Sequence, residues 1–142
     1  MTIARIIEGR SRAIVSCAPD ATVRQAAQLL AESRIGALPV LDGEWIAGIF
    51  SERDLLYCVA REGDAVLGRQ VADVMTAPAI TVEASTPVLD ALSLMTRRRI
   101  RHLPVVSTGK LVDFVSIGDL VKHRLELVEG EARAMRDYIR MA

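Results

Sequence analysis

At 142 residues the chain is one domain or two small repeats, long enough to bury a proper core. Its residues are 51% hydrophobic and 25% charged, the proportions of a folded soluble chain. Eighteen Lys and Arg balance 18 Asp and Glu, so no overall field draws in nucleic acid or acidic lipid. Cys17 and Cys58 have neither a metal-ligand spacing nor a CxxC motif and read as reduced core residues. The opening MTIARIIEGR carries Arg5, Glu8 and Arg10 in place of the unbroken apolar run of a signal peptide. No stretch approaches the roughly 18–20 apolar residues of a membrane span, and the expectation is a cytoplasmic protein without membrane contact.

In chain order, residues 3–7 (IARII) form a short apolar turn and residues 14–16 a short extended segment. Pro19-Asp20 breaks the chain. Thr22 then caps a helix whose Val23, Ala26, Ala27 and Leu30 share one face, and Gly36 ends it. Residues 38–41 and 45–50 read as a hairpin about Asp42-Gly43. Ser51 opens the next helix, with Asp54 in its first turn. Residues 63–75 start polar and finish with the helical turn VADVM. The same elements follow again: residues 80–82 extended, then Thr86-Pro87 as cap and first helical residue, with Val88, Ala91, Leu92 and Met95 on one face. A second hairpin turns at Ser107-Thr108-Gly109, and Ser116 opens the last helix.

The recurrence is a tandem duplication. At a constant offset of 65, residues 15–55 match residues 80–120 without a gap, with eleven identities in 41 positions. Chance would give about three at ordinary residue frequencies. The fold expected is α/β (α+β), a β-α-β-β-α unit used twice: residues 1–65, then 66–122, then a helical extension over 123–142. Pro39 and Pro104 recur within a strand, where proline lacks a ladder donor. Either the strand borders a gap with backbone groups left for something else, or these are edge-strand prolines that block aggregation.

Ser-x-x-Asp after an apolar strand is first of all a helix cap, and the same spot suits phosphate because free N–H groups point outward there. The duplicated unit, the L-P-V strand, the strand running into S-x-x-D and the ADVMT turn before the second unit together resemble CBS domains, the cystathionine-β-synthase-type repeats that pair into a Bateman module. The resemblance covers roughly residues 3–122. Residues 48–54 match the family's G-x-x-[ST]-x-x-D pattern in full, while residues 113–119 depart from it with Asp113 at the glycine, where a carboxylate would repel a phosphate. The resemblance implies two repeats packed about a pseudo-twofold axis, with two clefts for adenine nucleotides. Asp54 and Asp119 would then accept from the ribose hydroxyls, since an ionised carboxylate is acceptor-only. Ser51 and Ser116 would donate to the α-phosphate, and adenine would lie near Ile14 and Ile80.

The units differ most where Gly36-Ala37 becomes Arg101-His102. These two either reach a phosphate tail, favouring longer phosphates in the second cleft, or belong with Arg97, Arg98 and Arg99 as solvated complements of a helix C-terminus. Arg53 is likewise a phosphate contact or a surface residue. His102 and His123 join no nucleophile–base or metal constellation, and there is no GxGxxG or Walker loop, so neither catalysis nor a metal or required cofactor is expected. Three functions remain open: a regulatory module that senses AMP, ADP, ATP, NAD(H) or S-adenosylmethionine and signals to a separate protein, a structural dimerisation module with degenerate clefts, and a nucleic-acid binder, which the neutral charge opposes.

Beyond Asp119 the helical pattern continues for about twenty residues. Val121, Leu125, Val128, Ala132, Met135 and Ile139 follow the four-three rhythm of a coiled-coil seam. That stripe either folds back on its own module or joins two copies, and paired modules of the resembled family commonly form flat dimers. A homodimer is the expectation.

Overall fold

The computed structural model describes residues 1–10 and 13–141. Helix α1 (Ile3–Ile7) precedes α2 (Val23–Ser33), strands β1 (Ala37–Asp42) and β2 (Trp45–Ser51), and α3 (Glu52–Glu62). Two 3-10 turns, Gly63–Gly68 and Val71–Asp73, lead to α4 (Val88–Arg98), β3 (His102–Ser107), β4 (Lys110–Ser116) and α5 (Ile117–Met141). The α/β duplication is the fold of the chain.

Local chemistry explains most boundaries. At α2, Thr22 Oγ1 accepts from the Gln25 N–H (3.1 Å) and Gln25 Oε1 accepts from the Thr22 N–H (2.9 Å), a complete capping box. The end of α2 differs from expectation. Arg34, not Gly36, takes the left-handed position (φ 53°), and Arg99 does the same after α4 (φ 55°). The Ile35 and Ile100 N–H groups then close back onto the Leu30 and Met95 carbonyls. Gly36 lies beyond the helix end, where its carbonyl accepts the Glu52 N–H at 3.0 Å as that of Arg101 accepts the Ile117 N–H at 2.8 Å. The start of α4 also differs, because Pro87 is itself the N-cap and Thr86 turns back to the Glu83 N–H. The Met1 carbonyl already accepts the Val88 N–H at 3.0 Å, so one first-turn donor is satisfied without a side-chain cap.

Both hairpins are antiparallel, each with a register shift, between Val40 and Leu41 and between Val105 and Val106. The sheet order is β1-β2-β4-β3. The hairpins meet at their tips, through the Trp45–Lys110 pair and the Leu111 N–H donating to the Glu44 carbonyl. Pro39 and Pro104 lie on the two outer strands, and their carbonyls accept from Cys17 and Val82. The expected opening strands shrink to those contacts, single parallel bridges of Cys17 to Val40 and Val82 to Val105. Pro19-Asp20 and the turn at Ala84-Ser85 redirect the chain before a ladder can extend.

Two apolar cores form, and the segments that close them cross over. Val23, Ala26, Leu30, Leu38, Val40 and Phe50 are covered by Val71, Val74 and Met75 from the connection to the second unit. Val88, Ala91, Met95, Leu103, Val115 and Leu120 are covered by Ile3, Ile6 and Ile7, which sequence order grouped with the first unit. Burial raises the Cys17 thiol to about 11, so it stays protonated and unreactive at neutral pH. Among the described residues no helix is long and apolar enough to cross a membrane.

A Cβ on Gly48 would stand 2.7 Å from Met75 Sδ and 2.8 Å from the Thr76 carbonyl, whereas one on Gly130 meets nothing within 4 Å. Gly48→Ala should therefore destabilise the fold by about 1–3 kcal/mol through overpacking. Gly130→Ala should stabilise α5 by up to about 1 kcal/mol through helix propensity. Urea unfolding midpoints of the two variants, shifted in opposite directions, check both.

Candidate functional site

The crossover packing places the S-x-x-D turn of each unit against the opening segment of the other, leaving two clefts. The first has a cavity volume of about 340 Å³ and is lined by Ser51, Glu52, Arg53 and Asp54 from one unit and Ile80, Arg99, Arg101 and His102 from the other. The second, of about 230 Å³, joins Ser116 and Asp119 to Ile14 and Val15. Small-molecule pockets commonly run from about 300 Å³ upward, so the first is ligand-sized and the second is tight.

In the first cleft the capping chemistry sets the polar end. Asp54 Oδ2 accepts from the Ser51 N–H and Ser51 Oγ (both 3.0 Å), and the Asp54 N–H donates to Ser51 Oγ at 3.2 Å. Thr76 Oγ1 donates to Asp54 Oδ1 at 3.0 Å. A carboxylate has about four acceptor positions, so three donors leave Asp54 one more, and the two hydroxyls can rotate away for a ligand. Arg53 Nη1 donates to the Arg99 carbonyl at 3.1 Å, tying the start of α3 to the end of α4.

The second cleft repeats the cap: the Ser116 N–H donates to Asp119 Oδ2 (2.9 Å) and the Asp119 N–H to Ser116 Oγ (3.1 Å). Its charges differ. Asp113, 8% exposed, lines it and accepts the Phe114 N–H at 2.7 Å. Arg10 Nη2 lies 3.2 Å from Asp119 Oδ2 and Nη1 3.8 Å from Asp113 Oδ2.

The nine residues singled out from sequence divide as follows. Ser51, Arg53, Asp54, Ile80 and Arg101 come together in the first cleft, and Ile14, Ser116 and Asp119 in the second. His102 lines both and stacks on Phe114 (centroids 5.5 Å, interplanar angle 12°). The expected placement of Arg101 with the second cleft is corrected, whereas His102 reaches that cleft as well as the first. Arg101 faces Ser51 and Asp54, because the pseudo-twofold packing presents the end of each strand to the other unit's S-x-x-D turn. Sequence reasoning missed Arg99, grouped with solvated arginines, along with Glu52, Thr76 and Arg10. Only the offset of 65 between Asp113 and Gly48 hinted that the second cleft had changed.

Burial lowers the His102 pKa below the ordinary 6.5, partly opposed by the Asp119 and Glu52 carboxylates. The unfolded chain then binds this proton more readily than the folded one, so the His102 contribution to stability is present above 6.5 and is lost as pH falls below it. Melting temperatures at pH 7.5 and 5.5 should show a drop on acidification that is smaller in His102→Asn.

Fold and clefts together define a paired module of two repeats about a pseudo-twofold axis, with a cleft at each Ser-x-x-Asp turn. The CBS-domain profile matches residues 7–61 and 71–126, and the chain belongs to the CBS-domain family. It is 39% identical over 121 residues to the mitochondrial CBS domain-containing protein CBSX3 of Arabidopsis thaliana, covering 78% of this chain and 59% of that protein's length. A solved CBS-domain protein described as a putative signal-transduction protein, from Burkholderia ambifaria MC40-6, is 40% identical with a TM-score of 0.81, covering 89% of this chain and 95% of that one. The CBS domain protein PAE2072 from Pyrobaculum aerophilum, solved complexed with AMP, is 32% identical with a TM-score of 0.78, covering 91% and 97%.

Proposed function

We propose that the chain is a non-catalytic regulatory module that binds an adenine nucleotide in the first cleft and passes its occupancy to a partner protein. The observation that carries this reading is the convergence of Ser51 and Asp54 with Arg99 and Arg101 around one ligand-sized cleft. Three arginines against Glu52 and Asp54 leave that lining net positive, suited to AMP, ADP, ATP or NAD(H). Asp54 takes the ribose hydroxyls. Ser51 and the first N–H groups of α3 receive the α-phosphate, and Arg53, Arg99 and Arg101 hold whatever follows it. Ala79 and Ile80 form the apolar wall for adenine. The AMP complex of the Pyrobaculum relative supports the ligand class.

A homodimer through α5 is favoured by a second observation. Leu120 is buried and His123 and Leu127 are half-buried, so one face of the helix is used by its own module. The opposite stripe is uncovered, with Val121, Leu125, Val128, Met135 and Ile139 each 42–64% exposed. Every described residue from 129 to 141 is exposed, and an isolated helix of that length is marginal in water. With Leu125, Ala132 and Ile139 at a, and Val121, Val128 and Met135 at d, positions g and e hold Arg124 with Glu129 and Glu131 with Arg136. Both pairs are attractive between parallel helices of two copies.

Calorimetric titration with adenosine, AMP, ADP, ATP and NAD tests the first reading. Asp54→Ala should weaken binding roughly ten- to a hundredfold, the loss of a charge-assisted hydrogen bond. Arg101→Ala should weaken ATP while leaving adenosine unchanged, and absence of binding by every ligand would overturn the reading. For the dimer, light scattering should report two copies for the parent, dissociation for Glu131→Arg, and recovery on adding Arg136→Glu. A parent that is monomeric at micromolar concentration would overturn it.

A further inference from the structure

The two clefts share one capping chemistry, yet what meets the aspartate in each is different. Asp54 is met by the neutral hydroxyl of Thr76, whereas Asp119 is met by the guanidinium of Arg10 at 3.2 Å. The difference originates in the connections. The Ile3 N–H donates to the Thr86 carbonyl as the Val71 N–H donates to that of Ala21, so Ile3 and Val71 are equivalent anchors. Twelve positions lead from Ile3 to Val15, against nine from Val71 to Ile80, and the longer connection carries Arg10.

Arg10 is built into this place. Its side chain is 18% exposed, with Asp113 at 11% and Asp119 at 26%, and its Nη1 is buried without a hydrogen-bond partner among the described residues. Arg10 gives Asp119 one charge-assisted N–H donor and so takes an acceptor position that a ribose hydroxyl would otherwise use. Asp113 completes the arrangement. At the position of Gly48 it gives the cationic side chain a second carboxylate, and it lines the cleft with a charge that repels phosphate.

We propose that Arg10 is a resident competitor for the ribose position of the second cleft, so that a nucleoside enters there only by expelling the guanidinium. This deepens, and rests on, the reading of the first cleft as a nucleoside site. The first cleft fills at low ligand concentration, while the second stays self-occupied until ligand outcompetes Arg10. Expulsion of Arg10 releases the chain that follows α1, whose Ile3, Ile6 and Ile7 cover the second core, so occupancy of that cleft is read as loosening of α1.

The test is calorimetric titration of the full chain with adenosine, chosen because it has a ribose and no phosphate for Asp113 to repel. The parent should bind one adenosine per chain tightly. Arg10→Ala should add a second event, or tighten a weak one at least tenfold, and hydrogen exchange of the α1 amides should rise when that event is filled. Because Arg10→Ala removes the cation beside Asp113, Arg10→Ala with Asp113→Gly is measured alongside and should gain the same event. Asp54→Ala combined with Arg10→Ala should keep only the second event, which separates the clefts. Two equal events in the parent would overturn the proposal. So would a loss of binding in Arg10→Ala, which would make Arg10 a ligand contact. One event in the parent with no gain in either Arg10 variant overturns this proposal alone, and no adenosine binding by the parent or any variant overturns it together with the reading of the first cleft.

Discussion

The structure depends on the exchange of closing segments between the two units. A hairpin with one helix on each side leaves part of its apolar face open, and neither unit covers that face with residues of its own. Val71 and Ile3 are fully buried in the core of the unit that each does not introduce. Burying a side chain of that size contributes roughly 1.5–3 kcal/mol, while the sheet contact between hairpins is confined to their tips. Apolar packing of the crossing segments, more than the shared sheet, therefore holds the units in register.

The clefts follow from that exchange. The segment that crosses to close a core is succeeded by the one that lines a cleft, so Ile80 reaches the turn of Ser51 and Asp54, and Ile14 that of Ser116 and Asp119. Between the clefts stand Ala37 and His102, counterparts at the offset of 65, and both line both cavities. Replacing the methyl of one by the imidazole of the other places a titratable ring in the shared wall. Its pKa is depressed by burial and raised by Asp119 on one side and Glu52 on the other.

Helix α5 belongs to two systems. Its start is an element of the second unit, with Leu120 fully buried and the Ser116–Asp119 cap in the cleft. Its end stands clear of the module and carries only the outer stripe. One helix thus joins the Ser116–Asp119 cap to an uncovered apolar stripe.

The duplication, the order of elements, the capping of α2 and α3 and the two Ser-x-x-Asp turns are all legible in the chain without its fold. These are properties of local spacing, and an offset of 65 with eleven identities survives whatever the packing. Gly36 misled as a helix stop because the left-handed position is set by the Schellman closure onto Leu30, which Arg34 tolerates. Which residues share a cleft follows from the packing of the two units. Arg101 is adjacent in sequence to the second unit's strand but opens toward the first unit's aspartate, and Arg10 meets Asp119 across 109 positions. Pairings of that kind depend on how the two units rotate and exchange segments, and no periodicity within either unit encodes it.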